Sequence, residues 1–258
     1  MERRSATRAQ TVPLRPHTLD QGAPASLDEP TSSKRQEVRE LLRRALPGAG
    51  HDTIHSLAAS ADVRRLRPED VLFRQGEPVR LSLIVRGYAA YRRTTVDGQQ
   101  VVVGISGPGD LFGITSMSAS ISSVDYVALT DCETAVWMGP DVRRLVALDP
   151  GFALAMLDRL ALFLHALTEK VDGFLHQDAR RRVVRILARH RELFFGDPPI
   201  VSRAILPGLV GTSREMTGRV LRELEREGTV VRVGRTGLRL LRPDRLDPNA
   251  TRRSRDAC

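Results

Sequence analysis

Between Val63 and Met138, glycine recurs at Gly76, Gly87, Gly98, Gly104, Gly109 and Gly113, at spacings of 4 to 11 residues. Glycine and proline at such intervals leave room only for short strands joined by turns. The strand candidates are VLFRQGEP, LSLIVRGYAAYRR, QVVVGISGPGD and YVALTDCETAVWM. Asp97-Gly98 between two apolar runs is a hairpin signal. Several short strands at this interval fit a small antiparallel barrel or jelly roll.

The flanks differ. Residues 1–33 are rich in Pro, Ser, Thr, Ala and Arg without periodicity and read as a disordered arm. Residues 34–47 predict a short helix ending at Pro47-Gly48, and His51–Ala61 a second. With the strands they make an effector-type domain over 34–150. After Gly139-Pro140 the pattern turns helical. Leu157, Leu160, Leu164, Leu167, Val171 and Phe174 follow one another at steps of 3, 4, 3, 4 and 3. That is an a/d seam, and a narrow seam on a long helix favours a second helix like itself. Residues 151–177 are therefore read as a dimerisation helix, the alternative being a helix packed on its own domain. A further helix spans Asp178–Phe195, with Arg180–Arg182 at its start, and residues 247–258 form a basic tail.

A chain of 258 residues with 41% apolar content has material for two domains. No uninterrupted apolar run approaches 18 residues, so no membrane partner is expected. The N-terminus lacks the apolar stretch of a secretory signal. Cys132 and Cys258 form no CxxC, which points to the cytoplasm and away from a zinc ribbon or disulfide framework. The net charge of +9 is uneven. Residues 1–36 carry 6 basic and 4 acidic groups, net +2; residues 37–177 carry 15 and 17, net −2; residues 178–258 carry 19 and 10, net +9. The C-terminal third thus favours a polyanionic partner. No nucleophile–base pair, metal-ligand spacing or GxxxxGK loop is present, so an enzyme is not expected, nor a metal site.

That basic third contains SRAILPGLVGTSREMTGRVLRELEREGTVVRVGRTGLRLL. Two short helices around Gly211 fit a helix-turn-helix, the second running over Ser213–Glu227 and stopping at Gly228. Met216, Thr217, Val220, Leu221 and Leu224 share its inner face. Arg214, Glu215, Gly218, Arg219 and Arg222 share the outer one. That outer face offers guanidinium donors for guanine and phosphate and a carboxylate able to accept from cytosine. Arg214, Glu215 and Arg219 are the candidate base readers. Thr212, Ser213, Arg222 and Arg235 are the candidate backbone contacts. Two plainer readings stand beside this one: Thr212-x-x-Glu215 is also a capping box, and Glu215 and Arg219 are i,i+4 partners. VVRVGRTGLRLL then makes a hairpin wing carrying Arg232, Arg235 and Arg239.

GTSREMTGRVLRELEREG resembles the recognition helix of the Crp–Fnr family, the cyclic-AMP receptor protein group of bacterial transcription regulators. LFRQGEP, GPGDLFG and DCETAVW resemble turns of that family's effector domain in the same order, over about residues 66–241. The resemblance implies an α+β chain. Its parts are an N-terminal cyclic-nucleotide-binding-like β jelly roll, a long dimerisation helix, and a C-terminal winged helix-turn-helix over 178–246. It implies base reading by Arg214, Glu215 and Arg219, and a homodimer on an inverted repeat of double-stranded DNA with half-sites about one helical turn apart. RNA polymerase is a further candidate partner. One departure is Pro207, which deletes an intrahelical bond unless it lies in a first turn. The first helix of the motif is expected to be short, kinked or late.

A second departure lies in DLFGITSMSASISSVDY, uncharged between Asp110 and Asp125. Cyclic-nucleotide binders of the family have Gly-Glu-Leu after the Phe, the Glu holding ribose, and an Arg-Ser or Arg-Thr pair on the cyclic phosphate. Here Gly113 is followed by Ile114 and Thr115, and the Arg position falls on Ser122, beside Ser123. A buried phosphate without a guanidinium loses its main charge-assisted bond. Gly113, Ile114, Thr115, Ser122 and Ser123 are therefore read as a degenerate effector pocket, empty or serving a neutral ligand. No cofactor is expected, and cyclic AMP is not expected to bind. The reading is a cyclic-AMP-independent DNA-binding regulator. Its alternatives are a signalling module acting through protein partners and a regulator gated by an unidentified neutral ligand.

Overall fold

The computed structural model describes residues 32–96, 98–118, 120–197, 199–234 and 237–246. Of the arm read over residues 1–33, Ser32 and Ser33 instead open the first helix; the rest of it, the tail 247–258 and Arg235 lie outside the described residues. Two helices, α1 (Ser32–Ala45) and α2 (His51–Ala59), precede eight strands. These are β1 (Asp62–Leu66), β2 (Val71–Phe73), β3 (Leu81–Arg86), β4 (Ala89–Thr94), β5 (Gln100–Ser106), β6 (Leu111–Phe112), β7 (Asp125–Ala128) and β8 (Cys132–Trp137).

The strands form two four-stranded antiparallel sheets, ordered β1-β8-β3-β6 and β2-β7-β4-β5. This is the jelly roll the glycine spacing predicts. The hairpin at Gly98 is present: its amide donates to the Thr95 carbonyl, and β4 pairs with β5. Between the sheets lies an apolar core around Leu72, Phe73, Ile84, Phe112, Tyr126 and Val136. A second core joins α1 and α2 to the other face of β3 and β8, with Trp137 donating to the Leu57 carbonyl at 2.8 Å.

Helices α3 (Gly139–Leu148) and α4 (Pro150–His176) follow. Asp149 caps α4 by accepting from the Phe152 amide at 3.0 Å. Bonds from Thr53 and then from backbone amides hold its carboxyl below the usual range. Phe152, Ala155 and Met156 anchor the first turns of α4 in the core, but most later residues are exposed. By length and composition α4 would also suffice to cross a membrane, although charged residues interrupt its apolar sequence. Its anchored first turns and its charged Asp158, Arg159, Glu169 and Lys170 fit a helix with an apolar stripe instead.

The last unit comprises α5 (Ala179–Arg189), α6 (Arg191–Phe195), α7 (Leu206–Val210), α8 (Arg214–Arg226), β9 (Val230–Val233) and β10 (Gly237–Leu240). The single helix expected over 178–195 is broken at His190 into α5 and α6. Pro207 explains the start of the motif. Ser202 caps a 3-10 turn over Arg203–Ile205, and α7 begins only at Leu206, with Pro207 in its first turn where no donor is needed. Gly211 ends it at φ 67°, the left-handed region glycine enters freely.

Candidate nucleic-acid interface and effector pocket

Helix α8 is set by its inner face. Thr217, Val220, Leu221 and Leu224 are buried, the last three in one core with Val183, Leu187 and Leu209. The 3.6-residue period then turns Arg214, Glu215, Arg219 and Arg222 outward, and all four are exposed. Ser213 is the N-cap and accepts from the Met216 amide at 3.1 Å. The capping box read over Thr212 and Glu215 does not form, because the left-handed turn at Gly211 brings the chain in one residue later. Among the described residues no ion pair joins Glu215 to Arg219, so the carboxylate stands on the outer face beside the guanidinium groups.

The wing is fixed to α8. Arg232 pairs with Glu225 at 2.7 Å, and Arg203 donates to the Gly237 carbonyl at 2.9 Å. The bond from Arg232 holds the Glu225 carboxyl below its usual range. Arg232 is thereby occupied by α8, and both it and Arg239 are exposed.

On α4, Leu157, Leu164, Leu167 and Val171 are exposed by 58, 53, 46 and 47%, and Leu160 is partly covered. Phe174 is turned partly toward the C-terminal unit. A Cβ on Gly211 would sit 2.4 Å from its ring, and the Arg182 guanidinium lies 5.6 Å from the ring centroid.

The uncharged stretch is structural. Its flanking charges are both bonded: Asp110 closes a turn by accepting from the Gly107 amide, and Asp125 reaches the chain after β2 by accepting from the Gln75 amide, both at 2.8 Å. Gly113 admits the Arg80 carbonyl, which a Cβ would meet at 2.0 Å. Ile114–Ser118 is a 3-10 turn beneath α3, where a Cβ on Gly139 would strike the Ser116 carbonyl at 2.3 Å. Ile114 packs with the core of α1 and α2, Thr115 and Ser123 are exposed, and the buried Ser122 hydroxyl donates to the Val124 carbonyl at 2.6 Å.

Two arginines of the neighbouring strands pair with carboxylates, although the buried Nε of Arg92, like that of Arg80 just before β3, has no partner. Arg86 is bound by Glu37 at 2.9 Å and Arg92 by Glu69 at 3.1 Å. Glu77, beside the loop, closes its own turn on the Arg74 amide. Four aromatic rings that sequence reading passed over fill the space between the sheets. Phe112 stacks on Tyr126 at 4.0 Å between centroids, with Phe73 and Tyr91 against them. Ser106 donates to the Tyr91 hydroxyl at 2.8 Å, leaving the buried Tyr126 hydroxyl without a partner of its own. Burial pushes both phenols up. Ile114 and Ser122 offer no charge to a cyclic nucleotide, and no metal cluster occurs among the described residues.

Comparison with known proteins gives the setting. The cyclic nucleotide-binding domain family matches residues 63–149. The cyclic AMP receptor protein of Thermus thermophilus is 33% identical over 181 residues, spanning 69% of this chain and 83% of that protein. The CRP-like protein Clp of Xanthomonas euvesicatoria is 28% identical over 215 residues, with 77% and 94% covered. The solved structure of CLP, described as the c-di-GMP responsive global regulator of Xanthomonas campestris, aligns with a TM-score of 0.60 at 27% identity, over 74% of this chain and 99% of that one. FixK2 from Bradyrhizobium japonicum shares the fold with a TM-score of 0.61 at 20% identity, over 72% and 95%.

Proposed function

The chain belongs to the Crp–Fnr family of transcription regulators, and from that premise we propose that it is a sequence-specific DNA-binding regulator that grips an inverted repeat as a homodimer without cyclic AMP. One observation carries this reading: α8 buries Thr217, Val220, Leu221 and Leu224 on its inner face, with Met216 partly buried, and leaves Arg214, Glu215, Arg219 and Arg222 exposed as one polar face. Arg214, Glu215 and Arg219 read base edges. Thr212, Ser213, Arg222 and Arg235 hold phosphates. The half-dozen seam residues of α4 join the two protomers, and RNA polymerase is the partner on which such a regulator acts.

Independence from cyclic AMP rests on the lost anchors. Each charge-assisted hydrogen bond contributes on the order of 1.5–3 kcal/mol. Losing two weakens binding by some two to four decades, at about 1.4 kcal/mol per decade. The test is selection of bound duplexes from a randomised pool by the purified, nucleotide-free protein, with calorimetric titration of cyclic AMP, cyclic GMP and cyclic di-GMP alongside. The expected result is an inverted repeat and no nucleotide binding. Failure to enrich any repeat overturns the DNA-reading proposal. Saturable cyclic AMP binding tighter than about 10 μM, near −7 kcal/mol, overturns the independence.

A further inference from the structure

Strand β5 lies at the open edge of its sheet and carries Val101, Val102 and Val103. A free strand edge with three successive valines invites pairing with another chain, and folded proteins cover such edges. Here the cover comes from outside the barrel. Lys170 of α4 donates from Nζ to the Val103 carbonyl at 3.0 Å. Gly208, inside α7, faces the Val102 carbonyl so closely that a Cβ there would sit 2.5 Å from that oxygen and from Val101 Cγ1. Around this point Tyr88, Val102, Ile105 and Leu129 of the barrel pack against the apolar core of the DNA-reading unit, which includes Leu206 and Leu209. Gly208 sits mid-helix, where the usual ranking prefers alanine; close backbone approach is the reason left for it.

We propose that the edge of β5 is the seat of α7, and that Gly208 and Lys170 are positioning residues that fix, without any ligand, the angle and separation at which a dimer presents its two copies of α8. This rests on the DNA-reading proposal above. The contact lies within one protomer, and the outer face of α8 stays exposed while α7 is seated, so the seat orients the reading helix and does not mask it. The neighbouring joint acts in the same sense. Arg182 donates to the Gln177 carbonyl at 2.6 Å and the Val210 carbonyl at 3.2 Å, tying the end of α4 to the end of α7.

The experiment uses full-length protein and the variants Gly208→Ala and Lys170→Met. Affinity is measured for the selected inverted repeat, for repeats with the half-sites moved one or two base pairs apart or together, and for an isolated half-site. A loosely held reading unit keeps its half-site affinity but loses the advantage of two half-sites at a fixed separation. Gly208→Ala is therefore expected to weaken the repeat roughly ten- to hundredfold, to flatten the spacing preference, and to leave half-site binding within about twofold. Hydrogen exchange over residues 101–105 should speed up in the same variant. Lys170→Met should move all these readouts the same way, by less.

Unchanged repeat affinity and spacing preference in both variants overturns the proposal, as does unchanged exchange over residues 101–105. Should Gly208→Ala lose half-site binding too, Lys170→Met decides, and an unaltered spacing preference in that variant overturns the proposal by itself. Should the parent protein select no repeat, the DNA-reading proposal fails, and the exchange arm still decides whether α7 is seated on β5.

Discussion

Replacing Leu164 and Leu167 together with aspartate is expected to turn the proposed dimer into monomers. The magnitude follows from exposure. Each of these side chains is about half exposed in the protomer, 53 and 46% respectively. Full burial of a leucine contributes roughly 1.5–3 kcal/mol, so covering the exposed half contributes about 1 kcal/mol each. A two-fold dimer has four such side chains, on the order of 4 kcal/mol in all, or about three decades in the dissociation constant at about 1.4 kcal/mol per decade. Four carboxylates facing one another across the seam add a desolvation cost in the same direction. The protomer itself should keep its fold, because exposed positions away from caps and cores change stability little. Sedimentation velocity across a concentration series reads the dissociation constant, and circular dichroism checks the helices. A double variant that sediments as a dimer with the parent constant would refute the seam, and with it the claim that the exposed stripe of α4 is an interface between copies of this chain.

Two further outcomes are expected. Arg214→Ala should cost roughly 1–3 kcal/mol and relax preference at a single base position, whereas Arg222→Ala should weaken all sequences alike and lower the salt slope by about one; equal, sequence-blind losses in quantitative gel shifts would reduce the outer face to an electrostatic footprint. Thermal stability should fall as pH drops below the ordinary histidine value of 6.5, because burial, and then Arg189, hold His190 below it, with Asp110 opposing in part. A histidine depressed in the folded state contributes stability that is complete above 6.5 and is lost as pH falls through the lower folded value. His190→Gln should flatten that part of the melting profile, and an unchanged profile would show that His190 is not its source.

Periodic features of the sequence translated directly into structure. Glycine spacing foretold the jelly roll, because turns cut a sheet at fixed intervals whatever the strands contain. The inner face of α8 was legible for a similar reason, since a 3.6-residue period sorts Val220, Leu221 and Leu224 from Arg214 and Arg219 without any neighbour being known. Features that depend on where the chain meets itself were not legible. The cap of α8 passed from Thr212 to Ser213 because Gly211 adopts a left-handed turn, and sequence spacing alone does not report φ. Phe73, Tyr91, Phe112 and Tyr126 come from four strands and meet only once both sheets are stacked. Gly208 reads as one more helix breaker until the Val102 carbonyl is placed beside it.

The effector pocket differs from a cyclic-nucleotide site by more than its missing charges. Sequence comparison locates the loss at Ile114 and Ser122, which suggests that glutamate and arginine at those two positions would restore the site. The packing argues otherwise. Ile114 packs against the core shared by α1, α2 and α3, where an unpaired carboxylate would be costly to bury. Ser122 is 6% exposed and turned onto the Val124 carbonyl, so an arginine there would have to leave that turn to reach a phosphate. The four rings pack against one another between the sheets, and an interior packed at crystal density resists rearrangement. Restoring the two charges alone is therefore expected not to restore nucleotide binding: the double variant Ile114→Glu with Ser122→Arg should give no saturable cyclic AMP titration in calorimetry, and saturable binding would refute this reading of the packing.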